Sequence, residues 1–122
     1  MAQKYIVGDI VMYKNRIHTI IDTLGLNNYE LSYIRHPVNR AELSGVPLTP
    51  EILEKNGWKD DGYDWYRFPT KRAYLYITKD ITTLGEFLVC VGLDRHNLAS
   101  INFVHQLQHL FFGLGINHEM EV

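Results

Sequence analysis

His105 and His109 stand four residues apart in the run Val104-His105-Gln106-Leu107-Gln108-His109-Leu110. On a helix that spacing projects both imidazoles from one side, which is the geometry of a metal-ligand pair, with His96 or His118 as the source of a third nitrogen. A zinc hydrolase built on such a pair places its general base directly after the first histidine, and here that position is Gln106. The residue types therefore describe two polar surface or interface histidines first. A metal-dependent hydrolase or nuclease accessory using His105 and His109 is the alternative.

A second group is aromatic. Trp58, Tyr63, Trp65, Tyr66 and Phe68 fall within eleven residues, with Arg67 and Arg72 among or beside them. Alternating rings on a strand make a stacking platform for bases, sugars or a proline-rich peptide. Trp58, Tyr63, Trp65 and Arg67 are the candidate binding residues of such a surface, and a single-stranded nucleic-acid binder is one function they would serve. The competing reading puts the same rings in the core, Tyr63 and Trp65 on one side of a strand and Tyr66 and Phe68 on the other.

Other chemistry has less to stand on. Asp60, Asp61 and Asp64 surround Gly62, but Asp and Gly are favoured in turns for backbone reasons alone. Cys90 lies among valines and leucines, where a thiol behaves as a small apolar side chain. The sequence has no Gly-x-Ser-x-Gly elbow and no glycine-rich phosphate loop. No enzymatic activity and no cofactor are expected from these residues.

The elements that must position these groups can be read from periodicity. Asp9 to Tyr13 and Arg16 to Asp22 read as two strands around a Lys14-Asn15 turn, and Tyr29 to Ile34 as a third. A weaker fourth strand lies within Arg40 to Val46. Together residues 1–46 describe an antiparallel meander that curls into a small barrel. In 47–58, Thr49 suits an N-cap, Pro50 the first helical position and Gly57 the stop, so a short helix is expected over 50–56. Residues 63–91 form a second antiparallel meander, with strands at 63–68, 72–78 and 86–91. The last of these is apolar on both faces and so belongs in an interior position.

From 100 to 113 the period becomes helical. Phe103, Val104, Leu107, Leu110, Phe111 and Leu114 share one broad apolar face, with Asn97 or Ser100 available as a cap. Ile101 and Phe112 fall off that face, close to His105 and Gln108. These four residues are the candidate interface stripe, and they favour self-association as a homodimer or a protein partner. The tail from Asn117 to Val122 is expected to add a short edge strand. The fold class is thus α+β in one domain over 1–122: meander, short helix, second meander, C-terminal amphipathic helix.

Composition sets the outer bounds. The chain of 122 residues is 46% apolar and 21% charged, which suits one ordered domain. Its net charge of -2, without a basic block, gives no global support to duplex nucleic-acid binding. One cysteine excludes an internal disulfide and fits a reducing compartment. No apolar run approaches the ~18 residues of a membrane span, and Met1-Ala2-Gln3-Lys4 is not a signal segment, so a cytoplasmic protein is expected.

Two segments are distinctive as text: Pro47-Leu48-Thr49-Pro50-Glu51-Ile52-Leu53-Glu54-Lys55-Asn56-Gly57-Trp58, and Val104-His105-Gln106-Leu107-Gln108-His109-Leu110-Phe111-Phe112. With the opening Gly8-Asp9-Ile10-Val11, the chain resembles a family of small uncharacterised proteins of Bacteroides-type bacteria and their prophages. The resemblance implies a bacterial or phage-borne cytoplasmic protein and carries over no catalytic residue. The Gly-Asp-x-Val opening and its hairpin also look like the first strands of SH3-like barrels, a fold that hosts unrelated functions. The function expected is a non-enzymatic binding or assembly module.

Overall fold

Lys14 and Asn15 both adopt positive φ (48° and 64°), the backbone of a two-residue primed turn, and this turn sets the first hairpin. It joins β1 (Ile10–Tyr13) to β2 (Arg16–Leu24) in antiparallel register, Tyr13 facing Arg16 and Ile10 facing Thr19. β3 (Asn28–Leu31) pairs with β2, and a short β4 (Val38–Asn39) pairs with β3. One turn of 3-10 helix over Arg40–Glu42 then turns the chain into β5 (Leu43–Gly45), which pairs with β1. The computed structural model describes residues 5–62, 65–71, 73–79, 86–92 and 96–122.

The weak strand expected within 40–46 is realised only over Leu43–Gly45, since Arg40–Glu42 form the 3-10 turn and the short β4 precedes it. Asn39 explains the break: its side chain accepts from the Ala41 N–H, and Glu42 reaches back to the Asn39 N–H, a reciprocal cap that favours a turn over a ladder. β3 is shorter than expected as well, because Tyr33 adopts φ 65°. The sheet order is β4-β3-β2-β1-β5. Its core gathers Val11, Tyr13, Ile20, Tyr29, Leu31 and Val38, with Tyr5, Ile34 and Leu43 packed against them.

Contacts divide the chain into two compact units, the first formed by 1–47 with 103–120 and the second by 48–102 with 121–122. In the second unit, α1 (Pro50–Lys55) begins as its sequence predicts, with the Thr49 hydroxyl accepting from the Ile52 N–H at 3.2 Å and Pro50 in the first turn. Gly57 follows with φ 90°, the left-handed stop that glycine adopts without strain. Five antiparallel strands come next: β6 (Lys59–Gly62), β7 (Trp65–Pro69), β8 (Tyr74–Lys79), β9 (Phe87–Val91) and β10 (His96–Ile101), ordered β10-β9-β8-β7-β6. β9 lies between β8 and β10, the interior place its two apolar faces predict.

Three expectations are corrected here. Asp60-Asp61-Gly62 belongs to strand β6 rather than to a free turn, since Lys59 pairs with Arg67 and Asp60 with Tyr66. The C-terminal helix is α2 (Val104–Gly113), and Asn97, Ser100 and Ile101 lie on β10 instead. Helical periodicity begins only after Asn102, and the helix start is capped by the Gln106 side chain accepting from the Phe103 N–H at 3.0 Å. Residues 117–122 form no strand; Asn56 instead exchanges hydrogen bonds with the backbone of Glu121 through its side chain, at 2.8 Å each. Among the described residues the architecture is α+β, largely antiparallel sheet with two helices, and no described helix is long and apolar enough to cross a membrane.

Candidate functional site

The first unit builds its site where α2 meets the opening of β1. Gln108 is fully buried and makes three hydrogen bonds. Its Oε1 accepts from the Ile10 N–H at 2.9 Å, and its Nε2 donates to the carbonyls of Gly8 at 2.8 Å and His118 at 3.0 Å. Beside it, Asp9 is also fully buried. Its Oδ2 accepts from the Ile6 N–H at 2.9 Å and from His109 Nε2 at 2.6 Å. A short Asp–His bond of this kind fixes the ring's orientation and tautomer. The buried stripe of α2 thus runs through Val104, His105, Leu107, Gln108 and Phe111. It is turned toward the polar side compared with the face that apolar periodicity predicts, because satisfied hydrogen bonds make Gln108 as buriable as a leucine.

His105 is 6% exposed. Burial holds its ring below the ordinary histidine range; the nearby Asp9 carboxylate opposes that effect and His109 adds to it. It is therefore neutral at neutral pH. Its Nδ1, and Asp9 Oδ1, are buried without a hydrogen-bond partner. The ring lies almost parallel to Phe103, 11° between planes and 5.7 Å between centroids, and Tyr5 meets its edge at 5.1 Å. Gly45 makes this close arrangement on β5 possible, since a Cβ there would lie 2.5 Å from Phe103 Cγ and 3.0 Å from His105 Cε1.

Above these rings opens a pocket of about 600 Å³, in the size range of small-ligand sites. Phe103, His105 and Gln106 form one part of its lining, and Tyr5, Asn27, Asn39 and Arg40 contribute polar groups from the other. The Asn39 amide is committed to the 3-10 turn. Among the described residues, the Tyr5 hydroxyl, the Asn27 amide and the Arg40 guanidinium have no protein partner. The Tyr5 phenol is held above its usual range, first by burial, then by Asp9 and Tyr29, with Arg40 pulling the other way. Among the described residues no Asp or Glu lines the pocket.

The candidate interface stripe does not exist as an exposed surface. Ile101 is 4% exposed on β10, His105 and Gln108 are buried in the first unit, and of the four only Phe112 is open to solvent. His105 and His109 do share one side of α2, with ring centroids 5.8 Å apart, but they are not surface residues: His105 is buried and His109 is held by Asp9. Among the described residues no three His, Cys, Asp or Glu side chains are grouped as metal ligands.

The aromatic group of the second unit divides across its sheet. Trp58 is 2% exposed and packs on Phe68 with centroids 5.3 Å apart, so it is core and not part of a binding face. Trp65 is half-buried with its edge toward Tyr76. Arg67 lies over the Tyr74 ring at 5.5 Å and pairs with Asp61 at 3.6 Å. Tyr63 lies outside the described residues.

Sequence reasoning missed Asp9, Tyr5, Asn27 and Arg40 as site residues. Asp9 was legible only as part of an opening strand, and the other three carry no local motif; they converge through pairing of segments far apart in the chain. No protein-family model, no curated protein and no solved structure matches this chain.

Proposed function

We propose that this protein is a non-enzymatic binding module whose recognition site is the pocket of the first unit. One observation carries the reading: Tyr5, Asn27 and Arg40 bring three polar groups, without partners among the described residues, to one recess that Phe103 and His105 also line. Polar groups at fixed positions around an aromatic floor are what a ligand site needs for orientation and for affinity, respectively. Asp9 and Gln108 beneath them brace the site and do not need to react, since each is buried and bonded to backbone.

The first unit is read as a small SH3-like barrel. The order β4-β3-β2-β1-β5, with a 3-10 turn between the fourth and fifth strands, supports that reading. A fold of this kind presents a preformed recess without itself implying a reaction.

The test is a fragment screen by amide-proton NMR on the whole chain, with neutral and charged fragments alike. Saturable shifts should concentrate at Arg40, Gly45, Phe103 and Gln106. Hits confined to the face of Trp65, Arg67 and Tyr74 would replace this reading with the second unit's aromatic surface.

A further inference from the structure

We propose, building on the binding reading above, that the pocket recognises a small planar carboxylate, its charged group on Arg40 and its flat body against Phe103. Four observations on these residues lead there.

The sign of charge comes first. Among the described residues Arg40 is the one lining residue with a formal charge, and no described acid lines the recess to neutralise it. The nearest acid in sequence, Glu42, is turned to the Asn39 N–H at 3.1 Å. An unpaired guanidinium in a recess is a donor fork waiting for an anion, and a carboxylate matches that fork with two parallel bonds.

The number of charges comes second. His105 is buried and neutral, so among the described residues the lining offers a single positive charge. The Asp9 carboxylate is near enough to act electrostatically on both Tyr5 and His105. A ligand with two negative charges would meet that field with only one cation to offset it, so a monoanion fits better than a phosphate.

Shape is third. Phe103 and His105 lie within 11° of parallel and rest on Gly45, the residue whose missing Cβ makes room for them. The half-buried Phe103 ring held in that stack gains most from a flat ligand, by offset stacking and apolar burial. Last, the Tyr5 hydroxyl and the Asn27 amide have no partner among the described residues and line the same recess, so they supply neutral hydrogen bonds around the charged group.

The experiment titrates the full-length chain with benzoate, benzamide and inorganic phosphate, followed by amide-proton NMR. Benzoate should shift Arg40, Gly45, Phe103 and Gln106 saturably, and benzamide, the same shape without the charge, should bind about tenfold more weakly or worse. Arg40→Gln should remove the difference between the two. Asn27→Asp, at an exposed turn position, places a like charge at the recess and should weaken benzoate in a chain that still folds. N-acetyl-phenylalanine, whose carboxylate stands off the plane of its ring, should bind more weakly than benzoate, and binding as tight would overturn the planar assignment. Equal binding of benzamide and benzoate, phosphate tighter than benzoate, or benzoate affinity unchanged by both substitutions would overturn the inference. If neutral fragments still map to the pocket in that case, the binding reading stands and only the carboxylate is lost; if nothing maps there, both fall.

Discussion

At the scale of single residues, the first unit depends on polar groups that look unsuited to a core. Gln108 is buried as deeply as Leu107, yet all its hydrogen-bonding capacity in the fold goes to backbone: one N–H at Ile10 and two carbonyls at Gly8 and His118. Replacing it by leucine conserves volume and apolar fit but strands those three groups. Each buried orphan costs about 1–3 kcal/mol. Gln108→Leu should therefore destabilise the chain by roughly 3 kcal/mol or more, read as a lower midpoint in urea unfolding at unchanged slope. A neutral or stabilising outcome would mean that the tail at His118 and the turn at Gly8 find water at no cost.

At the scale of elements, local chemistry and tertiary context divide the two helices. α1 has six residues, too few to persist alone, and its start is set by the Thr49 hydroxyl on the Ile52 N–H at 3.2 Å. Thr49→Ala should cost about 1 kcal/mol, measured by chemical denaturation, without moving the amide resonances of the first unit. α2 starts differently: no hydroxyl or carboxamide at its N-cap serves it, and Gln106 bonds back to the Phe103 N–H instead. Its entry is fixed by the antiparallel bridge between Pro47 and Phe103 and by the Val104 N–H donating to the Val46 carbonyl at 2.8 Å.

At the scale of the molecule, residues 48–102 of the second unit are inserted in the chain of the first. The chain leaves the first unit after Pro47 and re-enters it at Phe103, and these two residues are bridged. On the inserted side, the Leu48 N–H donates to the Asn102 carbonyl at 2.9 Å. Ends held so close make an insertion cheap in loop-closure entropy, and equally make its removal tolerable. A chain joining Pro47 to Phe103 through about three Gly/Ser residues should still fold and melt cooperatively, retaining the Gln108 network, as followed by circular dichroism and by protection of the Ile10 amide from exchange. Non-cooperative melting with the Ile10 amide unprotected would show that the first unit needs its insert.

The sequence by itself determined the local elements. Lys14-Asn15, Thr49-Pro50 and Gly57 act within a few residues through backbone preferences and caps, and strand alternation and helical period report which way side chains turn, so the hairpin, α1 and the body of α2 are legible from text. It did not determine β6, β10 or the split of β4 from β5, because two carboxylates and a glycine, or His-Asn-Leu-Ala-Ser-Ile, become strand only when a neighbour offers a ladder. The site was decided by tertiary structure alone. Hydropathy ranks His105, Gln108 and Asp9 as surface residues; they are buried because their partners are backbone groups and side chains up to 100 positions away in the chain. The pocket above them has the same origin: Tyr5, Asn27, Arg40 and Phe103 belong to no common motif, and only the closing of β5 and α2 onto the first hairpin brings their chemistry to one place.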